Sequence, residues 1–282
     1  MADFHSVPLA SVASARAFLD GLELTDAALL RSPVRPDFGE DGGAPSIATP
    51  VLGSSAAGLG VKGAVEQTYL VGSQIVSFNA AVTEERRAAA FNSCLLAQLQ
   101  ATKLHGTPTT PAAVLEWHAA VVNTLMNIGW VLQSGVTTSQ ATDTMGVEID
   151  KVLLEIAGAV LGGGAAAALA VRVIEVIAKA KKDDPFITLY NSRVVEQSVV
   201  SFGAALGTAA QDGFLLSVVE CVVDIRAELQ QVLFFKWQSD SAAVDGRRFD
   251  LSLADSLYKQ IQALIEQKTL PHAQSFIASL NV

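Results

Sequence analysis

Charge is what this sequence has least of. Asp, Glu, Lys and Arg make up only 17% of its 282 residues, against about a quarter in an average protein. Half of the chain is hydrophobic. That balance excludes intrinsic disorder, which needs low hydrophobicity and high charge. Basic residues are the scarcer sign: 19 Lys and Arg face 28 Asp and Glu, for a formal net charge of −9. The acidity is spread along the chain, −3 over residues 1–110 and −6 over 111–282. Nucleic-acid affinity depends on Lys and Arg neutralising phosphates, so no nucleic-acid partner is expected. The basic clusters Arg86–Arg87, Lys179–Lys181–Lys182 and Arg247–Arg248 each have carboxylates nearby. They read as solvated faces or helix ends.

Catalytic and metal-binding patterns are missing as well. The four histidines, His5, His105, His118 and His272, stand at no metal-ligand spacing with each other or with a cysteine. No GxSxG elbow or SxxK set supplies a nucleophile. Gly162–Gly163–Gly164 lacks the Lys-Ser/Thr of a phosphate loop, and no GxGxxG occurs. The carboxylate pairs Glu148/Asp150, Asp183/Asp184 and Glu220/Asp224 read as helix starts, turns or solvated faces. We therefore expect no metal and no cofactor; an enzyme stays open as a third reading, because a site assembled across the fold need not show a local motif. The two cysteines, Cys94 and Cys221, are too few for a disulfide framework. Both sit in apolar surroundings, as buried free thiols do. The N-terminus lacks the basic region and long apolar core of a signal peptide, which gives the expectation of synthesis in the cytoplasm. Export by a signal-less route, or membrane association, stays open.

The regular elements come next. Residues 1–31 read as a helical arm. Residues 32–60 hold four of the nine prolines and many glycines, so they are expected to be a linker. Residues 61–282 are expected to form one main domain. Its text turns helical from about residue 61, with Thr83 capping a helix that ends at His105–Gly106. Thr110–Pro111 opens a second helix to about residue 133, and residues 147–182 read as a third, interrupted at the three glycines. Residues 194–250 fit strands or helices. Asp212–Gly213 is a hairpin signal, and an antiparallel meander of about four strands is the expectation. A helix follows from Ser252 to about residue 268, and Pro271 opens a last short one. The fold class is thus α+β, mostly helical with a C-terminal meander; the alternative is all-α. One echo, IVSFNAAV at 75–82 and VVSFGAAL at 199–206, has no continuation and reads as coincidence.

What remains to carry a function is apolar surface. The segment IAGAVLGGGAAAALAV, residues 156–171, has no charged residue. Its sixteen residues would make a helix of about 24 Å, short of the roughly 30 Å hydrocarbon core of a bilayer. Shallow lipid contact through Ile156, Val160, Leu161 and Leu169 is what it suits, with Trp237 as an interfacial aromatic. Cys221, in SVVECVVDI, is a thiol beside apolar residues; Cys94, in FNSCLLAQL, is the weaker second.

Two family resemblances attach to these segments. The small-residue apolar stretch at 156–171, flanked by helices, resembles the apolar head of α-helical pore-forming toxins. The chain size, the mixed helical and Val-rich text and the apolar-flanked cysteine resemble the S-acylated virulence factor of soft-rot bacteria that persist in insect guts. The second resemblance implies a covalent fatty acid, with Cys221 matched to the acylated position and Cys94 competing. Together they imply a non-enzymatic, membrane-associating protein of virulence or toxin type. The alternative is a soluble interaction module that assembles into a homo-oligomer through apolar surface.

Overall fold

The computed structural model describes residues 10–24, 65–71, 74–79, 81–142, 147–148, 195–196, 199–210, 213–225, 238–239 and 242–279. Helix α1, Val12–Asp20, starts at a capping box in which Ser11 and Ser14 exchange side-chain and backbone hydrogen bonds. Two strands follow, β1 Val65–Val71 and β2 Gln74–Asn79, paired as an antiparallel hairpin. The sequence predicts helix here. The alternation of buried Gln74, Val76 and Phe78 is that of a strand.

Helix α2, Glu84–His105, is capped by Thr83, carries Glu84 and Glu85 in its first turn and stops at Gly106 with φ +68°. Helix α3, Pro111–Asn127, is capped by Thr110, whose hydroxyl accepts from the Ala113 N–H. It ends six residues before the expected boundary at 133. Gly129, at φ +97°, turns the chain there. A side chain at Gly129 would meet Leu257 at 2.5 Å, so both backbone conformation and space require glycine. Trp130 then opens strand β3, Trp130–Thr142.

The remaining strands are β4 Val147–Glu148, β5 Val195–Glu196, β6 Val199–Ala210, β7 Gly213–Ile225, β8 Gln238–Ser239 and β9 Ala242–Leu253. The main sheet runs β1-β2-β6-β7-β9-β3, with β5 also on β6, and β4 pairs β8 separately. Among the described residues all pairings are antiparallel except β2 with β6. The fold is α+β, and β6, β7 and β9 form the expected C-terminal meander, with Ala210 facing Gly213 where β6 and β7 end, and β3 on its outer edge as a fourth antiparallel strand. The two echoing segments lie in adjacent strands but out of step, Ile75 pairing with Ala204.

Helix α4, Asp255–Ser279, is a single helix that passes through Pro271; the sequence predicts two. It begins at 255 because Ser252 belongs to β9 and the Ala254 N–H donates to the Gly129 carbonyl. The linker 32–60, the stretch 149–182 and residues 226–237 lie outside the described residues.

One core unites these elements. Leu216, Val218, Phe249 and Leu251 from the sheet meet Ala90, Ala97, Val121 and Leu125 from α2 and α3, and Leu257, Ile261 and Ile265 from α4. Ala15, Leu19 and Leu22 place α1 in the same core. Arg16 donates to the Gln260 carbonyl and Lys268 to that of Leu22, tying α1 to α4.

Strand β6 is unlike its neighbours. At 203, 205 and 207 it presents Gly, Ala and Gly between Gln74, Val76 and Phe78 on β2 and Glu220, Val218 and Leu216 on β7. The result is a furrow, which the side chains of β2 cross. Phe78 lies over Gly207 and stacks on Phe214, with ring centroids 6.4 Å apart. Gln74 lies over Gly203, where an added Cβ would stand 2.6 Å from its Cγ.

Filling the furrow is expected to destabilise the fold. Gly207→Val would drive a side chain into the buried rings of Phe78 and Phe214 and should cost about 1–3 kcal/mol. Leu104→Ser, at a residue 61% exposed, should stay within about 0.5 kcal/mol of the parent. Urea denaturation midpoints measure both.

Candidate functional site

Polar groups gather where the furrow crosses the centre of the sheet. Gln74 on β2, Gly203 on β6, Glu220 on β7 and Arg247 on β9 are successive register partners, forming one row across four strands. Helices α2 and α3 lie over this row. Gln98 of α2 donates through Nε2 to Gln74 Oε1 at 3.4 Å, and Gln74 Nε2 donates to Glu220 Oε1 at 3.5 Å. Both are long bonds. The other carboxyl oxygen, Glu220 Oε2, stands 3.0 Å from His118 Nδ1 of α3. Arg247 donates through Nη1 to the Leu115 carbonyl of the same helix at 3.5 Å. Gln74, Gln98, His118 and Glu220 are all buried to within 2% of completely.

Burial decides the protonation of this group. Loss of water pushes the Glu220 carboxyl up to about 8, although the nearby Arg247 guanidinium acts to lower it. Loss of water pulls His118 down to about 3, and Arg247 adds to that effect. The pair therefore holds one proton at neutral pH and carries no net charge. With Oε1 accepting from Gln74, the proton belongs between Oε2 and Nδ1. A carboxyl this deep beneath two helices is suited to joining layers. Acid–base chemistry on a solute would need an approach from outside.

Both predicted cysteines are placed. Cys94 is in α2, free and 1% exposed. Its thiol is pushed up to about 12, chiefly by burial and then by Glu220. Cys221 is in β7, opposite Phe202 on β6 and Gly246 on β9. Ile156, Val160, Leu161, Leu169 and Trp237 lie outside the described residues. Trp117 and Trp130 are both buried, on α3 and β3, and Trp117 Nε1 donates to Thr102 Oγ1 of α2 at 3.1 Å.

The sequence reading missed the polar row. It takes Glu220 and Arg247–Arg248 for solvated residues. Glu220 is 1% exposed, and Arg248 binds Asp250 on the opposite side of the strand register, with Nη2 2.7 Å from Oδ2. Ser134 and Ser217 also donate to Asp250, so that carboxylate is fully engaged. The available signal was the alternation Phe214, Leu216, Val218, Glu220, Val222: a carboxylate in the inward phase of an apolar strand. Among the described residues no cluster of His, Cys, Asp and Glu has metal-binding geometry.

Two outcomes follow for solution measurements. The Cys94 thiolate fraction at pH 8 should be about a thousandfold below that of an ordinary thiol, so iodoacetamide should leave the Cys94 peptide unlabelled in the native protein and label it in urea. Stability should also depend on pH in a defined way. The folded pair keeps one proton from about pH 3 to 8, while the ordinary values of the unfolded groups are 4.5 and 6.5. Above 6.5 the unfolded chain has lost both protons, so the stability contributed by Glu220 falls as pH rises toward 8. Below 4.5 the unfolded chain holds two, so the contribution of His118 falls as pH drops toward 3. The pair's contribution is greatest from about pH 4.5 to 6.5. Glu220→Gln should flatten the alkaline limb in urea titrations run from pH 5 to 9.

No protein-family model matches this chain, and no curated protein does. Solved structures give similarities at low identity. One is a delta-endotoxin: 14% identity, 64% of this chain and 83% of that one, TM-score 0.39. Another is the Evf virulence factor: 14% identity, 69% of this chain and 76% of that one, TM-score 0.31. A third is the activated Cyt2Ba monomer from Bacillus thuringiensis subsp. israelensis: 12% identity, 58% of this chain and 94% of that one, TM-score 0.33. The solved structures to which this chain is similar thus include a virulence factor and a delta-endotoxin.

Proposed function

We propose that this protein is a non-enzymatic, membrane-associating protein of virulence or toxin type, the type that its sequence resembles. The observation that carries the membrane reading is a contrast within the chain. Among the described residues the apolar surface is used up internally, and only Leu104 and Leu270 are large exposed hydrophobics. No described helix is long and apolar enough to cross a membrane. The charge-free run 156–171 is then the part of the sequence best suited to meeting lipid, by shallow burial of its apolar side chains. Of the two cysteines, Cys94 is closed off in the core with a thiol that stays protonated. Cys221 is the position favoured for a fatty acyl chain, which would add about 0.8 kcal/mol of apolar burial per CH₂.

Flotation with liposomes tests this reading. The purified protein is expected to float with anionic or neutral vesicles and to show a blue shift of tryptophan emission. Val160→Asp with Leu161→Asp should reduce the floated fraction at least about tenfold, since a charge in the apolar phase costs roughly 2.5–3.5 kcal/mol. If the parent floats with neither vesicle, the membrane reading fails. Solution mass would then test the homo-oligomer. For acylated protein, Cys221→Ala should weaken flotation and Cys94→Ala should not.

A further inference from the structure

The polar row does more than fill space, because each of its ties crosses from the sheet to the same pair of helices. Gln98 of α2 meets Gln74 of β2, His118 of α3 meets Glu220 of β7, and Arg247 of β9 meets the Leu115 carbonyl of α3. We propose that the Glu220–His118 contact is a proton-operated latch that fastens the α2–α3 hairpin to the sheet and releases it when its proton is removed. The inference goes beyond membrane association and does not depend on lipid.

The groups facing Glu220 are few. His118 comes from α3, Arg247 from β9 and Cys94 from α2, while Gln74 of β2 is neutral and Gly203 of β6 has no side chain. With its proton present, the Glu220–His118 pair is neutral and seals against apolar neighbours. Without it, a carboxylate faces a neutral imidazole. Arg247 attracts that carboxylate from the next strand, while its Nη1 is given to the Leu115 carbonyl. A buried charge without full compensation is relieved by water. Water can arrive only if α2 and α3 lift, which exposes Ala90, Ala97, Val114 and Val121. The strands hold one another through their own ladders, so the sheet has no need to open with them.

Amide hydrogen exchange of the full chain, read by mass spectrometry from pH 6 to 9 and corrected for intrinsic rates, tests the latch. Peptides of α2 and α3 should exchange about tenfold faster for each pH unit from about pH 6.5, where the opened pair has shed both protons, up to the Glu220 midpoint near pH 8, and should level off above it. Peptides of β6, β7 and β9 should keep their protection. Glu220→Gln should remove the acceleration, a result that a merely structural role would not give. Arg247→Met should move the midpoint to higher pH, because the guanidinium favours the carboxylate. The proposal is overturned if α2 and α3 do not accelerate, if all elements accelerate together, or if Glu220→Gln accelerates like the parent. Should Glu220→Gln not fold, infrared spectroscopy of the parent decides. Loss of a protonated-carboxyl band in step with exchange supports the latch, and absence of that band at pH 6 refutes it.

Discussion

A single carboxyl group beneath two helices sets the terms for the centre of this molecule. Glu220 cannot ionise cheaply where it lies, and its neutral form needs both a donor and an acceptor. Gln74 and His118 supply them, but only from opposite sides. Gln74 reaches Glu220 because position 203 on the strand between them is glycine. His118 reaches it because α3 is held against the sheet at the right height. The furrow in β6, the crossing angle of its neighbours' side chains and the seating of α3 are therefore parts of one constraint. Phe78 repeats the same crossing four residues along β2, over Gly207, with apolar chemistry in place of polar.

The two faces of the central strands treat charge differently. On one, Asp250 is met by Arg248 and two serine hydroxyls, so its lone pairs are engaged. On the other, Glu220 is given neutral partners and one guanidinium set to the side. The first arrangement is a brace. The second holds a proton whose loss changes the energy of the contact, and it lies at the joint between layers.

Helix boundaries were legible in the sequence wherever a cap had side-chain chemistry. Thr83 with its acidic first turn, Thr110–Pro111 and the stop at Gly106 all read directly. The boundary at Gly129 was not, because Val131 and Leu132 continue the apolar text of α3 without a break. The hairpin β1–β2 escaped for a related reason: its residues suit either period, and its pairing with β6 comes from far along the chain. Pro271 failed as punctuation because helix packing can outweigh a lost hydrogen bond. The meander was legible through Asp212–Gly213 and the valines of β7. The polar row was hidden because its members come from five elements. Only Glu220, alternating with Leu216 and Val218, carried a local sign of it.

The parallel pairing of β2 with β6 has a consequence for how the chain folds. Strands β6, β7 and β9 are adjacent in space and all lie within residues 199–253, so a sheet can begin with them at little entropic expense. Strand β2 must find β6 across more than a hundred residues, Gln74 beside Gly203, and β3 must find β9, Trp130 beside Leu253. During synthesis both early strands are therefore made before their templates exist. They wait with open edges until the C-terminal meander appears, and the order of assembly runs against the order of translation. A ribosome that pauses before β6 leaves β2 and β3 without a sheet to join, with their apolar sides open to other chains.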